Sequence, residues 1–191
     1  MAKQRKISLD PIDKRILRLL QEDCSLSLQE IAGRVGLSAT PCWRRIERLE
    51  QAGIIARRVA LLDPERLNVG VTVFVAVRAG AHSQAWLDRF ARGVAAIPEI
   101  VEFYRMSGDT DYLLRVVVPD IAAYDAVYKR LIKVADLSDV SSSFAMERIK
   151  FTTALPLDYV EAGGEAPPSR PPRPRRHSRN PEALPAEYPP T

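Results

Sequence analysis

The chain has 191 residues, 46% of them apolar, and a formal net charge of +4. That length suits one large domain or two small ones, and that apolar fraction can build a core. The sequence has no apolar run as long as a membrane span, no apolar stretch of the secretory kind in MAKQRKISLDP, and only two cysteines and two histidines, which excludes a spanning helix, export and a zinc site and points to a cytoplasmic protein with free thiols and no cofactor.

Charge is unevenly spread. Residues 1–60 hold 12 Lys/Arg against 7 Asp/Glu, whereas residues 61–160 hold 11 against 13. A basic head on a near-neutral body suits a polyanion partner. Asp10-Pro11 gives an N-cap and a first-turn proline, and Ile12, Ile16, Leu19 and Leu20 follow at helical spacing. Ser27 and Glu30 form an S-x-x-E capping box ahead of Leu28, Ile31, Ala32 and Val35, and Gly36 stops that helix. A third helical segment, SATPCWRRIERLEQAG at 38–53, follows after a tight turn. Two short helices joined this way, the second one basic, read as a helix-turn-helix.

On a helical wheel Cys42, Ile46 and Leu49 fall in one arc, with Trp43 beside it. Arg44 and Arg48 lie nearly opposite and Arg45 on a flank. Ser38, Thr40 and Pro41 form the helix start, where free N–H groups and the positive dipole end suit phosphate. Arginine also reads guanine in bidentate fashion, and in a helix-turn-helix the second helix places its N-terminal residues at base edges. The competing reading is a solvated charged face, with Glu47 and Glu50 pairing in the same helix. The capping box, the tight turn and the charge asymmetry favour DNA. The run 54–61 is β-prone and reads as a wing, with Arg57 and Arg58 as backbone contacts.

From Val71 the period changes. Strands are expected over 71–77, 100–106, 111–118 and 140–149, and helices over 83–97 and from Pro119-Asp120. The order βαββαβ is the ferredoxin-like motif. The third strand, YLLRVVV, is apolar on both faces. Helices cover only one side, so the open face implies dimerisation. The tail holds nine of the 15 prolines, with five arginines in RPPRPRRHSR. It cannot bury enough apolar surface to fold alone and reads as disordered. A basic arm that adds phosphate contacts is the second reading.

LDPIDKRILRLLQED, LSLQEIAGRVGLSATPCWRRIERLEQAGII and SGDTDYLLRVVVPDIAAYD together resemble the Lrp/AsnC family of regulators, over roughly residues 9–157. The resemblance implies an α+β chain in which an N-terminal winged helix-turn-helix precedes a ferredoxin-like βαββαβ effector and oligomerisation domain. The domains are then 1–60 for DNA binding, 61–70 as linker, 71–157 for effector binding and oligomerisation, and 158–191 as the disordered Pro/Arg-rich tail. It also implies double-stranded DNA as partner, an amino acid or related small molecule as effector, and homodimers that assemble further. By position, Ser38, Thr40, Pro41, Arg44, Arg45 and Arg48 match the recognition segment. Gly108, Asp109 and Asp111 match the family's effector loop, with Thr110 where an aromatic residue is common. Ser142 and Ser143, with Ser141, are candidate polar partners on the fourth strand. Asp109 as a plain turn residue is compatible with that reading.

Two other classes compete with this resemblance. Sirohaem decarboxylases resemble the family in both domains, but His82 and His177 are the only histidines and no acid–base constellation is visible. RNA-recognition domains share the βαββαβ order, but TDYLLRVVV lacks their stacking aromatics.

Overall fold

The computed structural model describes residues 9–81 and 83–160. The candidate tail from residue 161 and His82 lie outside the described residues. The described residues form two compact units, one of residues 9–56 with 154–160 and the other within 57–153.

The first unit holds α1 (Pro11–Glu22), α2 (Leu28–Val35) and α3 (Ala39–Gln51). Each start has a local cause. Asp10 caps α1 and Asp13 returns the bond to the Asp10 N–H, so an acidic pair makes a complete capping box. Ser27 and Glu30 do the same for α2. Gly36 ends α2 at φ 74°, a conformation glycine adopts without a Cβ penalty. Ile16, Ile31, Ala32, Val35, Cys42 and Leu49 form the shared core.

In the second unit the elements are β1 (Val71–Ala79), α4 (Gln84–Ala95), β2 (Ile100–Arg105), β3 (Tyr112–Val118), α5 (Ile121–Leu131) and β4 (Leu137–Phe144). The sheet order is β2-β3-β1-β4, with every neighbouring pair antiparallel. Val73, Val75, Val77, Leu114 and Val116 are fully buried, in one cluster with Trp86, Phe90 and Val127 of the helices. The opposite face carries Phe74, Leu113, Arg115 and Val117, of which Phe74 is 40% exposed.

Three expectations are corrected. The fourth strand lies at 137–144 rather than 140–149. Its start is hidden by polar residues facing outward, and its last paired residue is Phe144 opposite Val73, with one further bond from the Ala145 N–H to Thr72 O. The run 54–61 forms no strand. An extended segment becomes a strand only by pairing its N–H and C=O groups with a partner edge, and Ile54 and Ile55 instead donate back to Leu49 O at the end of α3. Residues 158–160, expected to open the tail, pack instead on the helices of the first unit.

Candidate nucleic-acid interface and ligand loop

Cys42, Ile46 and Leu49 turn inward from α3 and fix its roll. Ser38 stands at the N-cap with its hydroxyl unused for capping, and Ser38, Thr40, Pro41 and Arg44 are all exposed. Hydroxyls, first-turn N–H groups and one guanidinium thus share one end of the helix. Trp43 is half exposed.

The other two arginines have partners in the fold. Arg45 donates to Asp10 Oδ2 at 2.5 Å and to Asp13 Oδ1 at 2.8 Å, and Arg48 donates to Asp13 Oδ2 at 2.5 Å. The Asp13 side chain is 0% exposed, and the guanidinium groups that pair with this buried carboxylate both come from α3. Burial pushes the Asp10 carboxyl upward, but the Asp13 N–H and the Arg45 guanidinium outweigh it and hold it below the usual range. Hydrogen bonds to Asp10 and Asp13 raise Arg45. Burial raises the Cys42 thiol, which keeps it neutral and inert. The expected set of three outward arginines therefore divides. Arg44 points out, Arg48 keeps 47% of its side chain exposed, and Arg45 only 26%. Arg57 and Arg58 are exposed but belong to the second unit.

Sequence reasoning missed this four-residue network. Its signal was present as two pairs at i, i+3, Asp10/Asp13 and Arg45/Arg48, each on one helix face. It also missed the return of the chain, in which residues 154–160 run along α1.

The expected ligand loop joins β2 to β3. Gly108 sits at φ 106°, which favours glycine. The loop is pinned to the end of β1, where Asp111 Oδ2 accepts from the Ala79 N–H at 2.8 Å and Arg78 Nε donates to Asp109 O at 2.7 Å. Asp109 is exposed and Thr110 half-buried. The two candidate serines fall on opposite faces of the sheet. Ser142 is paired with core-facing Val75 and shares a hydrogen bond with the Tyr124 hydroxyl, whereas Ser143 is paired with outward Phe74. A cavity of about 580 Å³ in the same unit lies elsewhere, between Leu61–Glu65 and Arg115, Arg148 and Phe151.

A three-helix unit with a basic exposed helix end, joined to a βαββαβ sheet with one face free of helices, is the architecture of a ligand-responsive DNA-binding regulator. Residues 9–56 match the family model of a winged helix-turn-helix DNA-binding domain, and residues 72–155 match that of the Lrp/AsnC ligand binding domain. The DNA-binding transcriptional activator DecR of Escherichia coli K12 is 53% identical over 151 residues, 78% of this chain and 99% of that one. An AsnC family transcriptional regulator from Agrobacterium tumefaciens is 62% identical with a TM-score of 0.78, over 80% of this chain and 100% of its own. A transcriptional regulator from Neisseria meningitidis, solved as its L-Met complex, is 37% identical with a TM-score of 0.77, over 81% and 100%. The chain belongs to the Lrp/AsnC family. It is a DNA-binding transcriptional regulator, and the decarboxylase alternative falls because its family and relatives are regulators rather than enzymes.

Proposed function

We propose that this protein is a cytoplasmic homo-oligomer that binds two-fold-related sites on double-stranded DNA and changes its binding when an amino acid or related small molecule is bound. The exposed N-terminal end of α3 carries the reading, since Ser38, Thr40, Pro41 and Arg44 are all free of the core there. These four enter the major groove, with Arg48 at the rim and Arg45 held back as a support. Arg57 and Arg58 contact backbone phosphates. Two such helices on one DNA face require half-sites about one helical turn or a multiple apart.

The effector site is the loop Gly108, Asp109, Thr110 and Asp111, completed by Ser143 across a subunit boundary. The glycine lets a ligand approach the backbone, and exposed Asp109 can pair with an α-ammonium group. Ser142, committed to Tyr124, supports the sheet. The amino-acid class is supported by the relative solved with L-Met. Footprinting on the DNA upstream of the protein's own coding region, with a panel of amino acids, tests both halves. Protection over spaced half-sites that shifts with one amino acid is expected. No protection at any concentration sinks the DNA reading, and protection indifferent to every amino acid sinks the effector reading alone.

A further inference from the structure

The cavity of the second unit that lies apart from the ligand loop has a volume of about 580 Å³, within the roughly 300–1,000 Å³ of small-molecule sites. Arg115 of β3 lines it and stands opposite outward Phe74 of β1, so the cavity borders the helix-free face of the sheet. Arg115 is four strand positions beyond Asp111, about 13 Å from the loop. The remaining lining comes from residues 61–65 and from Arg148 and Phe151 after β4. Residues 63–65 are set by a local turn. Asp63 Oδ1 accepts from the N–H groups of Glu65 and Arg66 at 3.0 and 3.4 Å, and the Val69 N–H donates to Pro64 O at 2.8 Å.

Four charged side chains line this cavity, and two have partners in the fold. Arg115 Nη2 lies 2.6 Å from Glu102 Oε1, and Asp63 is answered by its own turn and by Arg66 at 3.5 Å. The other two are left over. Arg148 lies over the Phe151 ring, its guanidinium carbon 4.7 Å from the centroid, and the described residues offer it no carboxylate. They offer the Glu65 carboxylate no cation or hydrogen-bond donor. Lone surface charges commonly face only water. These two, however, border one concavity together with Leu61, Leu62 and Phe151, which are 62%, 70% and 55% exposed. An arginine held over a ring face keeps its five N–H donors for a carboxylate. A carboxylate suits an ammonium group, and three bare apolar side chains suit an apolar body.

We propose that this cavity is a second ligand site, separate from the 108–111 loop, for a small zwitterion with an apolar body. Arg148 takes its carboxylate, Glu65 its ammonium group, and Leu61, Leu62 and Phe151 its apolar part. Free amino acids and short apolar peptides share that chemistry. The site stands independently of the effector loop.

The test is calorimetric titration of the full chain, in whatever assembly it forms, with L-leucine and with the dipeptide L-leucyl-L-leucine. Arg148→Gln, Glu65→Gln and, for the loop, Asp109→Asn are titrated alongside, with matching thermal unfolding as the check on folding. At least one of the two compounds should bind at a site that Arg148→Gln and Glu65→Gln each weaken about tenfold or more, as loss of a charge-assisted hydrogen bond requires, and that Asp109→Asn leaves alone. Tighter binding of the dipeptide makes the short peptide the source, and tighter binding of leucine the free amino acid. Two analogues probe the unaltered chain: L-leucinamide lacks the carboxylate and 4-methylpentanoate lacks the ammonium group. Both should bind more weakly than leucine, leucinamide indifferent to Arg148→Gln and 4-methylpentanoate to Glu65→Gln. Binding that Asp109→Asn abolishes and both cavity variants leave untouched would overturn the cavity site and leave the effector loop standing. Analogues that bind as well as leucine, or no binding of leucine or the dipeptide at millimolar concentration, would also overturn it.

Discussion

Asp13 lies wholly inside the first unit, with two guanidinium groups bridging from α3. Its two sides are not equivalent. If Asp13 is replaced by Ala, Arg45 and Arg48 can turn to water, since both are already partly exposed. The loss is then that of charged hydrogen bonds, about 1.5–3 kcal/mol. If both arginines become Ala, a buried carboxylate is left without a cation, which costs about 3–5 kcal/mol. Urea unfolding should therefore rank the double variant as the more damaged. The reverse order would mean that Asp13 finds water in its place. Arg44 predicts the opposite profile, with stability unchanged by Arg44→Ala but operator binding weakened by roughly 1–3 kcal/mol if it reads a base. Equal weakening on scrambled DNA would make it a phosphate contact instead. Acid also separates these groups. Asp10 and Glu30 are held below their ordinary values in the folded chain, Glu30 chiefly by the Ser27 hydroxyl. Depressed carboxyls contribute stability above their unfolded values, near 4, and that stability is lost as pH falls through the folded ones. The thermal midpoint should therefore drop below about pH 4, and Asp10→Asn should flatten that limb. A midpoint constant down to pH 3 would show that the cap does not couple to folding.

At the level of elements, the local code was legible and the long-range code was not. Asp10-Pro11, the Ser27/Glu30 box and Gly36 announce helix boundaries because the responsible bonds span three or four residues. The β4 boundary was misplaced because its outward serines mask an alternation that only pairing with β1 reveals. The ion pairs of Arg45 and Arg48 were not legible because the wheel shows which way a side chain points from its own helix, not that α1 brings a carboxylate to meet it. The return of residues 154–160, more than 130 residues from their partners on α1, could not be read from spacing. Packing also overrides propensity in α4. Glycine inside a helix is worth about 1 kcal/mol less than alanine, yet a Cβ on Gly93 would lie 2.2 Å from Val134 Cγ1. Gly93→Ala should thus destabilise by roughly 1–3 kcal/mol through overpacking, despite its better propensity. A raised urea midpoint would show that the turn carrying Val134 yields freely.

For the whole molecule, the unanswered surface is the sheet face away from α4 and α5. Phe74, Leu113 and Val117 lie there, around an Arg115–Glu102 pair at 2.6 Å. Glu102 is buried enough to be pushed upward, yet Arg115 and the Tyr104 hydroxyl hold it below the usual range, so the pair stays ionic. An apolar field around one satisfied ion pair suits a self-complementary contact, where two copies present the same patch and the charges fix the register. A stable contact of this kind needs about 800 Å² from each partner, which one face of a four-stranded sheet can supply. Phe74→Asp places a charge at the centre of that field, and its neighbours Val73 and Val75 point to the other side, so the core should survive. Sedimentation should then give the mass of a single chain at micromolar concentration, with thermal unfolding little changed. Paired half-sites would be bound only as weakly as single ones, since each α3 would arrive alone. An oligomer that persists with Phe74→Asp, and again with Val117→Lys, would place the contact on another surface and remove the geometric reason for half-sites one helical turn apart.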